Sequence, residues 1–230
     1  MGKILIMADI FDDWPEKYDQ WFESPMGRLI KSYESQLVME MLDPAPGEVI
    51  LDAGCGTGIF AADILESGVR VVGLDLSLTM LRHALTKFAG QTFQSVMGDI
   101  GSLPFADTSF HKAVSITAIE FMKDARIAVE ELFRVTKPGG YIVVATLNSL
   151  SAWAQRRKEA AQKGHPLFKH AIFRSPDEMK GLSSENSIVR TAIHFEKNDD
   201  PEMVPKIEKS GSERNLNTGA FLAARWIKPG

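Results

Sequence analysis

The sequence predicts a single α/β domain of the doubly wound type, in which a mostly parallel sheet is covered by helices on both faces. Between residues 49 and 147, short apolar runs alternate with helical patterns of about three turns, as in right-handed crossovers between parallel strands. The first apolar run ends at Gly54, Gly56 and Gly58. A glycine-rich turn between a strand and a helix leaves backbone N–H groups open to a ligand. At 230 residues the chain suits one substantial core better than two.

The elements follow in chain order. Apolar residues four apart predict a helix over Pro25–Leu42, which Asp43 and Pro44 end. The alternating part then predicts the strands Val49–Asp52, Arg70–Asp75, Phe93–Gly98, Lys112–Thr117 and Tyr141–Leu147 and, between them, the helices Thr57–Ser67, Ser77–Phe88 and Asp124–Thr136.

The last third of the chain has a different pattern. It predicts a basic-faced helix over Ser151–Lys163 and a short helix over Ser175–Leu182, capped by Ser175 with Pro176 in the first turn. Two strands follow, Ile188–Phe195 and Gly219–Ile227. The segment between them, residues 196–218, is polar and rich in turn residues, and we expect a loop there.

Composition excludes several classes of protein. With 44% hydrophobic and 24% charged residues and a net charge of -4, the chain lacks the basic footprint of a nucleic-acid or anionic-membrane binder. No run approaches the roughly 20 apolar residues of a membrane helix. The single cysteine, Cys55, excludes an internal disulfide and a cysteine-rich metal site, and it fits a reducing compartment. The N-terminal residues also lack a signal-peptide pattern, so we expect a cytoplasmic protein. We expect no metal site.

The glycine turn suggests a nucleoside ligand. In the G-x-G-x-x-G pattern of dinucleotide enzymes the third glycine would fall at Ile59, and here the glycine comes one residue early, which disfavours a pyrophosphate clamp. Asp75 ends the second predicted strand, where a carboxylate can accept hydrogen bonds from both hydroxyls of a ribose. Asp99 could accept from an adenine amino group while Ile100 packs on the ring. The loop holds no lysine or arginine for a phosphate.

Four segments together resemble a known family. In order and spacing, "LDAGCGTG", "VVGLDLSLTML", "GDIGSLPFADTSF" and "ELFRVTKPGG" are similar to the class I S-adenosylmethionine-dependent methyltransferases, especially the quinone-biosynthesis and small-molecule branch. The resemblance covers roughly Tyr18–Leu147 well and the C-terminal part in outline. It implies a Rossmann-like, seven-stranded sheet of order 3-2-1-4-5-7-6 with strand 7 antiparallel. It also implies one methyltransferase domain over residues 1–230, with a helical lid (1–43), a cofactor-binding core (44–147) and an acceptor-side part (148–230).

The resemblance implies S-adenosylmethionine as cofactor and assigns residues to it. Asp52 and Gly54 would lie by the methionine amino group, Gly56 would let the backbone approach, and Leu76 would pack on adenine beside Asp99 and Ile100. Thr117 would line the methionine side. The predicted cofactor-binding set is Tyr18, Asp52, Gly54, Cys55, Gly56, Gly58, Asp75, Leu76, Met80, Asp99, Ile100 and Thr117. For Cys55 we favour the role of a small, buried packing residue over a role in redox or arsenic chemistry.

The pattern of the N-terminal aromatic residues has two interpretations, packing in the core or a lid over the ligand. Trp14, Tyr18 and Trp21 recur at i, i+4 and i+7, as in the packing face of an amphipathic helix. In the family such a helix covers the cofactor, and we expect this lid, with Phe11 and Phe22 beside it and Tyr18 touching the ligand. In the implied topology the connection between strands six and seven emerges at the carboxyl edge, so residues 196–218 would overhang the acceptor.

Catalytic residues are less defined by the sequence. Methyl transfer from a sulfonium is an in-line displacement that depends mainly on positioning, so a general base is optional. Glu120, which follows the fourth strand, is the first candidate, and His165 and His170 are the others. Each could instead be a cap, a solvated residue or an incidental loop residue.

Three functions remain open at this point. The first is a methyltransferase acting on a small molecule, as a monomer or homodimer without nucleic acid or a membrane span. The second is a sensor or subunit that binds S-adenosylmethionine or S-adenosylhomocysteine without turnover. The third is a nicotinamide oxidoreductase, which Ile59 disfavours. The acceptor and the atom methylated are not specified by these patterns.

Overall fold

The protein is described by a computed structural model that covers residues 11–12 and 14–230; the parts of the expected lid at residues 1–10 and 13 lie outside the described residues. One sheet contains β1 (Val49–Ala53), β2 (Arg70–Asp75), β3 (Phe93–Met97), β4 (Lys112–Ile116), β5 (Tyr141–Leu147), β6 (Ser187–Ala192) and β7 (Phe221–Ile227). Its order is β3-β2-β1-β4-β5-β7-β6, and β7 runs antiparallel to both of its neighbours while the other pairs are parallel. The expected fold class, sheet order and direction of strand 7 are therefore confirmed.

Helices cover the sheet on both faces. They are α1 (Pro15–Glu23), α2 (Pro25–Leu42), α3 (Ala61–Glu66), α4 (Leu78–Lys87), α5 (Ala125–Val135), α6 (Ala152–Gln162), α7 (Pro176–Lys180) and α8 (Val204–Glu213), with short 3-10 turns at Ile119–Phe121 and Phe168–His170. Ser24, Ser77 and Ser151 cap α2, α4 and α6 with their hydroxyls, and Ser175 forms a capping box with Glu178. None of these helices combines the length and apolar character required to cross a bilayer.

The central strands are apolar on both sides because both faces of the sheet are covered. Along β5, Val143 and Ala145 belong to one buried cluster, whereas Ile142 and Val144 belong to the other. The first cluster includes residues of α2, α3 and α4, and the second includes residues of α5 and α7. Burial on both faces produces continuous apolar runs, and these runs are what made the strands predictable.

Several element ends differ from the predictions. The helix expected over Thr57–Ser67 begins only at Ala61, because Gly58 adopts a left-handed conformation with φ of 77° and its N–H donates to the Cys55 carbonyl in a turn. The strand expected over Ile188–Phe195 spans Ser187–Ala192. It ends there because Ile193 is left-handed, with φ of 65°.

The polar segment 196–218 is not a loop throughout, as we expected, although its residue Lys197 lines the cavity described below. It contains α8, which packs against β6 and buries Val204, Glu208 and Gly211. The Glu208 carboxylate accepts the N–H groups of Ile193 at 2.9 Å and His194 at 2.6 Å, which ties the helix to the end of the strand. The helix was missed because its buried face includes a glutamate and a glycine in place of apolar residues.

Replacing Gly211 by alanine should destabilise the fold by about 1–3 kcal/mol, the usual cost of overpacking a core. A Cβ at this position would lie 2.2 Å from Cγ of His194, whose ring packs against the helix. In a helix interior with free space, the same change would stabilise the fold by about 1 kcal/mol. The sign of the change in unfolding free energy therefore shows whether the His194 ring packs against Gly211. Urea unfolding of Gly211→Ala beside the exposed control Ser210→Ala measures it. A variant as stable as the wild type would show that the helix and ring are not packed in this way.

Candidate functional site

A cavity of about 1350 Å³ lies at the carboxyl ends of the central strands. The loops after β1, β2, β3 and β4 form one part of its wall, and α1, α2, α6 and the segment 165–172 form another. This is the edge of a doubly wound sheet at which ligands bind. The predicted cofactor residues that line the cavity are Tyr18, Asp52, Gly54, Cys55, Gly56, Asp75, Leu76, Met80, Asp99, Ile100 and Thr117.

The glycine loop presents its backbone to this cavity. The N–H groups of Gly54 and Cys55 both donate to the Leu74 carbonyl, at 2.6 and 3.0 Å, which fixes the loop to the end of β2. Gly54 has φ of 81°, and a Cβ there would lie 2.4 Å from Cβ of Ala118. Gly56 has φ of 53°, and a Cβ there would meet no atom within 4 Å. The space in front of Gly56 is therefore available to a ligand.

Two residues of the loop serve packing. Gly58 belongs to the predicted set but is not among the residues that line the cavity; it packs against the Phe88 ring, from which a Cβ would lie 2.4 Å away. Cys55 is buried. Burial is the main cause that raises the pKa of its thiol, and the charges of Asp52 and Asp75 raise it further. A protonated, buried thiol is a weak nucleophile, in agreement with the small buried role expected for it.

Two acidic residues lie beside the glycine loop. The Asp75 carboxylate accepts from the Gly56 N–H at Oδ2 and from the Ser77 N–H at Oδ1, each at 2.9 Å. Asp52 is only 2% exposed, and burial together with the charge of Asp75 raises its pKa to about 7. Burial also raises the pKa of Asp75, although the hydrogen bonds that it accepts from backbone N–H groups oppose this effect. A ligand with positive charge would stabilise both carboxylates in their ionised forms.

The neighbouring part of the cavity is mostly apolar with one carboxylate. Ile100 and Met80 are buried and Leu76 is half-buried, and all three line the wall. Asp99 accepts the Gly101 N–H at 2.8 Å. The basic residues on the wall are Lys17, Lys123, Arg156, Arg157 and Lys197, so none of them belongs to the glycine loop. This part of the cavity suits an uncharged ring system next to a ribose better than a diphosphate.

Aromatic residues form much of the remaining wall. Phe11, Trp14, Tyr18, Trp21 and Phe22 all line the cavity, and Phe11 contacts Phe121 edge to face at 4.9 Å between ring centres. Burial raises the pKa of the Tyr18 hydroxyl. Thr117 has φ of 48°, a rare conformation for a β-branched residue that turns the chain directly after β4. Residues of α1, together with Phe11 and Trp14, thus form part of the cavity wall.

Glu120 is the most buried of the three candidate catalytic residues, with 1% of its surface exposed. The Thr146 hydroxyl donates to its Oε2 at 3.2 Å. Burial raises the pKa of Glu120 to about 7, while its hydrogen bonds and the charges of Arg174 and Arg157 limit the rise. Arg174 donates to the carbonyls of Ile119 and Met122, at 3.0 and 2.8 Å, and so holds the turn that carries Glu120.

The two candidate histidines line the same cavity. The ring of His165 stacks on Phe168, with 4.3 Å between ring centres, and lies 6.3 Å from Trp14. His170 is exposed. The three candidates therefore share one cavity, with Glu120 inside and His170 at the surface.

Glu34 and Arg157 are among the charged residues of the cavity that the sequence analysis missed. Glu34 is 4% exposed, and burial raises its pKa to about 8. It occupies the core-facing side of α2 with Ile30 and Leu37, and a carboxylate within that apolar stripe was the signal that could have identified it. Arg157 was placed only within the basic-faced helix predicted over Ser151–Lys163, although Trp153 stands one turn before it and lines the same cavity.

The fold and the cavity define a Rossmann-like protein whose sheet edge can hold a nucleoside carrying positive charge. The described ranges contain no cluster of three or more histidine, cysteine, aspartate or glutamate residues that could hold a metal ion. A family described as "Methyltransferase domain" matches residues 51–144. Together with the relatives below, this match shows that the chain belongs to the S-adenosylmethionine-dependent methyltransferase family, as the sequence motifs implied.

Named relatives agree on this class. Demethylmenaquinone methyltransferase of Paenarthrobacter aurescens is 31% identical over 174 residues, which are 74% of this chain and 67% of that protein. Malonyl-[acyl-carrier protein] O-methyltransferase of Erwinia pyrifoliae is 38% identical over 149 residues, which are 58% of this chain and 56% of that protein. The matches thus span roughly half to two thirds of the relatives' lengths.

A solved structure supports the fold over nearly the whole chain. A protein of Thermotoga maritima described as an S-adenosylmethionine-dependent methyltransferase, possible histamine N-methyltransferase, superposes with a TM-score of 0.75. The match covers 96% of this chain and 99% of that one at 24% sequence identity. At this identity the similarity concerns the fold alone.

Proposed function

We propose that the protein transfers a methyl group from S-adenosylmethionine to a small-molecule acceptor. The observation that carries this proposal is the pairing of a bare glycine loop with two carboxylates in one cavity, the buried Asp52 and the half-buried Asp75. S-adenosylmethionine carries a ribose and two cationic groups, so its chemistry matches these acids. The absence of basic residues from the loop argues against a diphosphate in the same place.

Each of these residues has a proposed role. Asp75 accepts hydrogen bonds from the ribose hydroxyls while its carboxylate keeps the N–H groups of Gly56 and Ser77 satisfied. Asp52 faces the amino group of the methionine part, and Asp99 with Ile100 and Leu76 holds the adenine. Tyr18 and Thr117 lie where the methionine part meets the acceptor.

The bound cofactor supplies an electrophilic methyl carbon, whose bond to sulfur breaks as an electron pair of the acceptor attacks it. The protein holds the acceptor in line and excludes water with the aromatic wall. Glu120 accepts the proton that a hydroxyl or amine acceptor loses during attack. Its burial, and a pKa of about 7, suit this role better than the exposed position of His170 or the stacked ring of His165.

The relatives indicate the size of the acceptor. The names of the relatives refer to a malonyl group on a carrier protein and to a quinone precursor. By analogy we propose a small acceptor here, reached through residues 148–230, with residues 1–43 as the lid and residues 44–147 as the cofactor-binding core. We also propose that the protein acts in the cytoplasm, as a monomer or homodimer and without nucleic acid.

Calorimetry and turnover together test this function. S-adenosylmethionine and S-adenosylhomocysteine should bind, NAD should not, and S-adenosylhomocysteine should accumulate with an acceptor from a panel of small hydroxyl and amine compounds. Binding of NAD alone would contradict the proposal. Tight binding of both sulfur ligands without turnover on any acceptor would instead favour a sensor.

A further inference from the structure

Arg157 carries a positive charge that the protein leaves partly unmatched. It lies on α6 in the cavity wall, and its Nη1 is buried without a hydrogen-bond partner among the described residues. Its guanidinium carbon lies 5.7 Å from the centre of the Trp153 ring, which holds the group by a cation–π contact. A guanidinium stays charged and offers five N–H donors, and a buried donor without an acceptor destabilises a fold. This arrangement suggests that a ligand supplies the acceptor.

The neighbouring acids do not fully neutralise this charge. Among the residues that the structure describes, Glu34 and Glu120 are the carboxyl groups whose charges act on Arg157. Burial raises the pKa of Glu34 to about 8 and that of Glu120 to about 7, so both are partly protonated near neutral pH. The ion pair of α6 instead joins Arg156 to Glu196 at 3.4 Å. Positive charge therefore remains beside an open cavity.

The surroundings indicate what kind of molecule would pair with it. Lys17 and Lys197 line the cavity at exposed positions, although the chain as a whole has a net charge of -4. Positive charge at an entrance attracts anions and repels amines. Trp153 lies beside Arg157, and the wall of the same cavity also includes the apolar residues Phe121, Leu147, Leu167 and Phe168. An apolar body with one anionic group fits both features.

We propose that Arg157 binds a carboxylate of the methyl acceptor, which makes the acceptor a small aromatic or acyl molecule with one such group. This inference rests on the proposed methyltransferase function. A carboxylate can accept two parallel N–H bonds from one guanidinium. A phosphate would bring up to two negative charges next to Glu34 and Glu120, and is less suited. The carboxylate serves as the anchor, so that a separate hydroxyl or amine of the acceptor gives its proton to Glu120.

Two series of probes with matched bodies test the anchor. The aromatic series is phenylacetate, phenylacetamide, phenethylamine and benzyl phosphate, and the acyl series is hexanoate, hexanamide and hexylamine. Their affinities are measured by calorimetry with S-adenosylhomocysteine bound. In at least one series the carboxylate should bind about tenfold more tightly than the amide and the amine, since one charged pair is commonly worth that factor. If neither carboxylate exceeds its amide, or if the amine or phosphate binds most tightly, the proposal is overturned.

Variants then assign the preference to Arg157. Arg157→Met should weaken the carboxylate about tenfold and the amide less than twofold, and Arg157→Lys should retain part of the preference. Lys158→Met, an exposed neighbour outside the cavity, should keep all of it. A preference that survives in Arg157→Met would contradict the assignment.

Two further readouts separate this inference from its alternatives. The affinity for S-adenosylhomocysteine should stay within twofold of wild type in all three variants; a wild type that does not bind it would refute the proposed function instead. Arg157→Met should melt at or above the wild-type temperature because it removes a charge that is only partly matched, together with its buried and unpaired Nη1. A large fall in melting temperature would identify Arg157 as a structural counter-ion of Glu34 and overturn the proposal.

Discussion

Substitution of Asp75 by alanine is expected to raise the dissociation constant for S-adenosylmethionine about ten- to a hundredfold. The carboxylate offers charged hydrogen bonds to the ribose, each worth about 1.5–3 kcal/mol, and 1.4 kcal/mol corresponds to a factor of ten. The change also leaves the N–H groups of Gly56 and Ser77 without their acceptor, which loosens the glycine loop. Both effects act in the same direction. Calorimetry at constant pH measures the change.

Two companion variants make this result specific. Asp75→Asn keeps one acceptor oxygen at nearly the same volume, so its affinity should lie between those of the wild type and the alanine variant. Asp107→Ala removes an exposed carboxylate that pairs with Arg134 outside the cavity, and its affinity should not change. If Asp75→Ala folds and binds S-adenosylmethionine as the wild type does, Asp75 does not contact the cofactor.

The fold was predictable because buried strands and amphipathic helices leave strong patterns. The alternation of apolar runs predicted the α/β class, and the family resemblance supplied the sheet order. The helix α2 was predicted with the bounds that the structure has, since Pro25 starts it and Asp43 and Pro44 end it. The ends of other elements depend on long-range contacts. The strand β6 stops where the N–H groups of Ile193 and His194 donate hydrogen bonds to Glu208, a residue of α8 that lies outside the strand.

The sequence analysis missed one helix and several cavity residues because polar residues lie within otherwise apolar helix faces. Helix α8 buries Glu208 and Gly211, and α2 buries Glu34, so a reading based on apolar periodicity assigns such residues to solvent. Arg157 was predicted only as part of a basic-faced helix, without a place in the cavity. A sequence can show that a charge breaks an apolar stripe, but only the assembled cavity shows which groups the charge faces. The glycine loop was easier to interpret because backbone conformation and ligand approach both restrict residue choice locally.

Substitution of Glu120 by glutamine should lower kcat about a hundred- to ten-thousandfold, the usual contribution of a general base. The amide keeps the shape of the side chain and can still accept from the Thr146 hydroxyl, but it cannot take a proton. Since the pKa of Glu120 is about 7, the wild-type rate should rise with pH through 7 and level off above it, as the carboxylate becomes ionised. This rise should disappear in the variant. Steady-state rates from pH 5 to 9 test it.

Glu34→Gln is the matched control for Glu120, because it alters the other buried carboxyl of the acceptor region, whose pKa is about 8. If Glu34 were the base, the rise in rate would be centred near pH 8 and would vanish in that variant instead. A third variant tests the cause of the pKa. The Thr146 hydroxyl stabilises the ionised form of Glu120, so Thr146→Val should raise the pKa of Glu120 and move the rise in rate to higher pH without removing it. A rise that stays in place in Thr146→Val, or that persists in Glu120→Gln, would mean that the proton goes to another group.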